Sequence, residues 1–493
     1  MDFERIPILL KRYDFSSKME ICQSYSKDNM SINGLIPIDE LIGKPLPWEL
    51  ETFALFSVIT FGEYSNRKFE GKNEIKQFIE IINTIKNYQP PKLEAVLDNN
   101  RFLDYLIIVT ALNQFQLQEN MLNKIYRYSY IFNFQNENLN MKQQFVDKFD
   151  CSYDEFKKLG LIIYCYFSRE FDKFRTSSIY DYILRKYNHV IQHLIIDRSG
   201  YISLQEKITK DITHYMYGFK YFYQFPFISY NQDIFLPLPH LIMESVTSSL
   251  LFRLTEGNDR LRESFGKEVL EGYILKICRL SEYFDEVIAE RQYDYKRNKK
   301  RTLDVMIRKG KQCLMLDSKS MSPRVSLRNL TEKDIEHTIN RIVDSVIQVY
   351  QHITERFQKE YNPFNVEADF LKENIFGAVV LFEDSYIRRD TIMFKVAEKL
   401  KLDYSSEEFK YLCSNVKLMR LYELEKMIFQ KEDILQLLMN NRQDEGKWFD
   451  FSFINYSKRN KKIVIEDILR IDENLNEILN EFIHELAVEG IIN

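Results

Sequence analysis

Glycine and proline are scarce, at 14 and 11 residues in a chain of 493. Few long loops are therefore expected. The six cysteines (Cys22, Cys151, Cys165, Cys278, Cys313 and Cys413) are widely spread, and no two form a CxxC pair. Neither a disulfide framework nor a zinc-type cysteine motif is expected, and a reducing cytoplasm is the simplest compartment. No Gly-rich phosphate loop is present, so ATP hydrolysis is not expected. The longest apolar stretches, Tyr105–Leu112 and Gly160–Phe167, fall far short of the roughly 20 residues that span a bilayer. The first residues, Met1-Asp2-Phe3-Glu4-Arg5, lack the basic start and apolar run of a secretion signal. These absences predict a cytoplasmic protein with no membrane partner. Neither charge sign dominates: 68 basic residues face 73 acidic ones, for a net charge of −5. That balance counts against a passive nucleic-acid coat, but not against an enzyme in which an acidic site and a local basic surface coexist.

The chain has 37 Phe and 31 Tyr, 45% hydrophobic residues and 29% charged residues. These are globular values with aromatic-rich cores, and the length predicts two or three domains. In the first half, apolar residues recur at three- and four-residue steps over 49–61, 74–85, 100–115, 153–167 and 178–195, which predicts helices. Residues 221–230 and 233–239 are short aromatic runs that predict a hairpin or an extended crossing, followed by helices over 240–254 and 261–284.

Further on, the pattern changes period. Thr302–Arg308 and Gln312–Lys319 alternate on either side of Lys309-Gly310-Lys311, the pattern of an antiparallel hairpin. A long amphipathic helix over 330–360, a continuous apolar strand over 376–382, a helix over 391–400, a strand over 416–419 and a helix over 421–429 follow. The predicted class is α+β: a mostly α-helical N-terminal region (1–245), an α/β core (246–435) and a short helical C-terminal tail (436–493).

The second period carries the chemistry. Asp317 and Lys319 lie two apart on a strand, so both leave one face. Asp304 lies on the neighbouring strand, although spacing alone does not fix the register. On the preceding helix, Glu271 falls at the edge of the apolar arc made by Phe265, Val269, Leu270, Tyr273, Ile274 and Ile277, with Glu268 roughly 60° further toward solvent. Carboxylates converging beside one ammonium suit a hard divalent cation and phosphodiester hydrolysis.

In this order, Gly266, Glu271 and Tyr273 on a helix, then Asp304, then Asp317-Ser318-Lys319, the sequence resembles the PD-(D/E)xK nuclease superfamily over about residues 255–430. Leu303 precedes the first acid, where the motif's name has proline. The resemblance implies a restriction-endonuclease-like core. It also implies Mg²⁺ or Mn²⁺ held by Asp304, Asp317 and Glu271 with the Ser318 carbonyl, and Lys319 at the attacking water. A (D/E)xK triplet alone says little, since Glu74-Lys76 and Glu408-Lys410 also fit it. A basic run beside the hairpin (Lys296, Arg297, Lys299, Lys300, Arg301, Arg308, Lys309 and Lys311, with Arg324 and Arg328 beyond) offers a phosphate-binding surface, and Tyr293 and Tyr295 offer stacking. A solvated loop fits the same run. His189 and His193, four apart in the predicted 178–195 helix, could share a metal, but core or surface roles fit them better. Gln348 and Tyr350 are placed to face the site or simply to pack.

The expected function is metal-dependent cleavage of DNA, with RNA as the other substrate. By architectural analogy the setting is bacterial anti-phage defence, acting as a homo-oligomer or with a partner defence protein. Repair or recombination, and a non-catalytic scaffold with a degenerate nuclease fold, are the alternatives.

Overall fold

The computed structural model describes residues 2–31, 34–35, 43–60, 66–88, 102–114, 119–168, 176–208, 221–321, 327, 330–366, 369–440 and 474–492. The chain is an α+β protein. Among the described residues the small N-terminal strands are β1 (Met30–Ser31), β2 (Gly34–Leu35), β3 (Ile195–Asp197), β4 (Phe227–Tyr230) and β5 (Asp233–Phe235). The larger C-terminal set is β6 (Glu286–Ala289), β7 (Gln292–Tyr295), β8 (Asn298–Arg301), β9 (Val305–Lys309), β10 (Gln312–Lys319), β11 (Ile375–Leu381) and β12 (Val416–Arg420).

Five strands make the central sheet, in the order β12-β11-β10-β9-β6. The β6/β9 and β9/β10 pairs are antiparallel, and β10/β11 and β11/β12 are parallel. The parallel half needs helical crossovers, and helices Glu332–Gln351, Arg389–Leu400 and Glu407–Asn415 supply them. All seven residues of β11 are buried, as expected for a strand covered on both faces. On one face Val305, Ile307, Leu314, Leu316, Phe376, Ala378 and Val380 share a core with helices Met121–Asn133, Tyr153–Phe167, Glu271–Cys278 and Leu421–Phe429. On the other, Met306, Cys313, Met315, Val379 and Leu418 pack with the three crossover helices. Hydrophobic packing therefore runs straight across residue 245: helices 121–133 and 153–167 belong to the core of the sheet. A separate cluster joins helices Phe15–Lys27, Pro47–Ile59 and Lys72–Lys86 with β4.

Several sequence expectations need correction. The predicted 178–195 helix is broken: Ser177–Lys186 ends at Tyr187, Asn188–Ile191 is one turn, and Ile195 opens β3, which pairs parallel with β4. The N-terminal region is mostly helical, and the helix stops here because a long-range partner claimed the β-branched Ile195-Ile196 pair. The 221–239 segment is the expected hairpin, β4 antiparallel to β5. The 240–254 helix is split by Val246-Thr247 into Ile242–Ser245 and Ser248–Thr255. The start of the basic run, Lys296–Arg301, is the turn and second strand of the β7/β8 hairpin rather than a loop. Of the tail, residues 441–473 lie outside the described residues, and Asn474–Val488 is the expected helix.

Candidate active site

The β9/β10 ladder pairs Gln312 with Lys309 at the turn and Leu316 with Val305 at the far end. Continuing that register by one residue sets Asp304 alongside Asp317. β9 begins only at Val305, so Asp304 stands in the bend just before the strand. Its Oδ2 accepts the Ser318 N–H at 2.6 Å and the Ser318 hydroxyl at 2.7 Å. Asp304 is thereby clamped to the (D/E)xK segment through the residue between Asp317 and Lys319. Asp317 is only 3% exposed. Its Oδ2 lies 2.6 Å from the Lys319 ammonium, and its Oδ1 accepts from Gln348 Nε2 at 3.4 Å. Gln348 does face the site, whereas Tyr350 is buried in the crossover-side core.

Glu271 reaches the site on a helix that is not a regular α-helix. Asp259–Ser264 passes through a π segment, Phe265–Leu270, into the α-helix Glu271–Cys278. Such insertions re-phase a helix and recur at functional sites. Glu268 turns away, accepting from Asn136 at 2.8 Å and Asn138 at 3.3 Å. Each motif residue has a distinct structural job. A Cβ on Gly266 would come within 2.8 Å of Ser320 Oγ, so glycine lets the π turn press against the end of β10. The Tyr273 hydroxyl donates to Glu425 Oε1 at 2.7 Å and pins the helix to Leu421–Phe429.

The carboxyls perturb one another. Burial, then the charges of Asp304, Glu290 and Asp317, push Glu271 up to about 8. Burial and Asp304 raise Asp317 to about 6 against the pull of Lys319. Burial raises Asp304 even though the Ser318 hydrogen bonds favour its charged form. Glu290, one residue beyond β6, is a fourth acid acting on the site and was not anticipated from sequence; it pairs with Arg301 at 3.1 Å. This all-oxygen set matches the preference of hard divalent cations, and Asp317 Oδ2 is buried without a well-formed hydrogen bond. Among the described residues the three carboxylates do not close to within 4.8 Å of one another, so holding an ion would require them to draw together.

The Glu271 shift fixes a sign. An acid whose folded pKa is raised contributes fully below its unfolded value, near 4.3, and that contribution is lost as pH climbs to about 8. In chelator, Glu271→Gln is therefore expected to melt about 1 °C above wild type at pH 8.5, allowing about 1 kcal/mol after solvent screening. The two curves should converge toward pH 4.5. Thermal melts across that range test this, and identical curves at every pH would remove the buried-acid picture.

The basic residues divide into two groups. Arg308, Lys309 and Lys311 sit at or beside the β9/β10 turn, about 17 Å of strand away from Asp317. Arg308 is also paired with Asp285 and Glu286, and Lys309 with Asp433. The other group belongs to an arm, the β7/β8 hairpin, which leaves the sheet at the acidic end, between Glu290 and Thr302. Lys300 is engaged by Glu360 at 2.7 Å and Arg301 by Glu290. Tyr293 donates to Glu360 and accepts from Arg356, so it anchors the arm. Lys296, Arg297 and Lys299 make no ion pair among the described residues, and Lys296 and Arg297 form the turn with positive φ. Arg324 and Arg328 lie outside the described residues.

No known protein family, curated protein or solved structure matches the chain. No helix among the described residues is long and apolar enough to cross a membrane.

Proposed function

We propose that the protein is a metal-dependent nuclease of the PD-(D/E)xK type that hydrolyses phosphodiester bonds, with DNA as substrate. The observation carrying this reading is the register that sets Asp304 beside Asp317, with the Lys319 ammonium 2.6 Å from Asp317 Oδ2 and Glu271 electrically coupled to both acids. Asp304, Asp317 and Glu271 would hold Mg²⁺ or Mn²⁺. When bound, the ion would supply charge neutralisation on the phosphate and an acidified water. The rest falls to the chain. Ser318 fixes the Asp304 carboxylate. Gln348 steadies Asp317 from the neighbouring helix. Lys319, part-exposed, would orient the attacking water and stabilise negative charge as it develops.

The arm supports a nucleic-acid substrate. A two-stranded ribbon fits the major groove of a duplex, and Lys296, Arg297 and Lys299 on the arm offer phosphate contacts. Anti-phage defence remains the proposed setting by analogy of architecture, with another copy of the chain or a defence protein as partner.

The test is a cleavage panel over single- and double-stranded DNA and RNA with Mg²⁺ or Mn²⁺, run with wild type and Asp317→Ala. Metal-dependent cleavage of DNA by wild type, lost in the variant, is expected. Cleavage confined to RNA would move the substrate. Cleavage that survives Asp317→Ala would remove the site assignment, and binding without cleavage under either metal would favour a scaffold.

A further inference from the structure

Away from the sheet, a second group of ligand-type side chains meets at the corner between helices Met141–Phe149 and Tyr153–Phe167. Asp150 takes a left-handed conformation, φ 50°, and ends the first helix; Cys151 follows, and Ser152 caps the second. Glu155 Oε2 accepts the Ser152 N–H at 2.8 Å and its hydroxyl at 2.9 Å. Its other oxygen, Oε1, turns outward to His189 Nε2 at 2.8 Å. One ligand atom each from Cys151, Glu155 and His189 lies within 4.8 Å of the other two, and this is the one such trio among the described residues.

We propose that Cys151, Glu155 and His189 form a zinc site, separate from the carboxylate cluster and independent of the nuclease reading. The donor set decides the ion: a thiolate and an imidazole with a single carboxylate select a borderline-soft cation such as Zn²⁺ over Mg²⁺ or Ca²⁺. Tetrahedral zinc sets its nitrogen and oxygen ligands about 3.3 Å apart, close to the spacing already present. The ligands combine depth with access. Cys151 is 7% exposed, while the His189 and Glu155 side chains are 53% and 41% exposed. A solvent molecule can thus reach the fourth position. His193 lies beyond the Asn188–Ile191 turn and packs against Phe149 and Phe156, so the two histidines do not share a helix face.

Binding would displace the thiol proton of Cys151 to solvent, with His189 Nε2 as ligand and the ring proton on Nδ1. The ion would tie the corner between the two helices to the Asn188–Ile191 turn.

The experiment is Co²⁺ titration of the full chain after chelator dialysis, in an Asp317→Asn background that weakens the carboxylate cluster. One equivalent giving a thiolate-to-cobalt charge-transfer band, competed away by Zn²⁺, is expected. Cys151→Ser should abolish the band, and His189→Ala, at an exposed position, should weaken binding at least ~10-fold, since even outer-shell changes cost about that much. Melting curves confirm that each variant is folded. Absence of the band in a folded parent, or its persistence in Cys151→Ser, would overturn the site.

Discussion

Lys319→Met is expected to slow DNA cleavage by roughly 10³-fold while leaving the chain folded, the scale on which one transition-state donor acts. Methionine keeps the length of the stem and removes the ammonium, both its charge and its N–H donors. Among the described residues Lys319 is the one cation that contacts Asp317, at 2.6 Å, and its charge also bears on Asp304. Two effects should separate in measurement. The first is catalytic and appears in single-turnover rates at saturating metal. The second is electrostatic. With Lys319 present, burial and Asp304 already lift Asp317 to about 6. Without it, the folded-state pKa climbs further, so the variant should lose stability relative to wild type as pH rises above about 6 and match it near pH 4. Saturating Mn²⁺ should restore much of the neutral-pH melting temperature without restoring the rate, because an ion can replace the ammonium as counter-charge but not as donor. Cleavage within a few fold of wild type would mean that Lys319 is only an ion-pair partner.

How much of this was legible from sequence depends on the range of the interaction. Asp317 and Lys319 were legible because period-2 alternation is local. The helices Tyr153–Phe167 and Leu421–Phe429 have the expected bounds, the first fixed by the Ser152–Glu155 capping box. A 100° count favours Glu271 over Glu268, and the structure also separates the two, but through a π segment that no regular period contains. Glu290 was illegible because β6 is a short, half-buried edge strand and the arm beyond it is charged, so neither shows apolar alternation. The breadth of the basic run misled for a related reason. Charge density is visible in sequence, but the acids that neutralise Lys300, Arg308 and Lys309 come from elsewhere in the chain. Cys151 and His189 are likewise brought together only by helix packing.

The second large effect concerns the frame around Glu271. Arg127 is 1% exposed, on the Met121–Asn133 helix. Its Nε and Nη2 donate to the two oxygens of Glu425 at 2.7 and 2.6 Å, and Nη2 also lies 3.2 Å from Glu119. Glu425 is fully buried and takes its remaining hydrogen bond from Tyr273, the tyrosine that orients the Glu271 helix. Around this pair Lys124 meets Glu244, and Arg420 meets Glu423 at 3.0 Å. Deleting one partner strands a buried charge, and burial already raises the Glu425 carboxyl with Arg127 in place. Arg127→Ala is therefore expected to cost about 3–5 kcal/mol. Neutralising the stranded partner should recover part of the loss: Arg127→Met with Glu425→Leu should be more stable than Arg127→Ala, since a buried ion pair contributes little over a well-packed apolar one. Recovered stability need not recover function, because Glu425→Leu also takes away the Tyr273 anchor. Denaturant unfolding of the single and double variants, with cleavage assayed on each, separates these terms. A loss under 1 kcal/mol for Arg127→Ala, or a double variant no better than the single, would show that the pair neither sustains the fold nor holds the Glu271 helix in place.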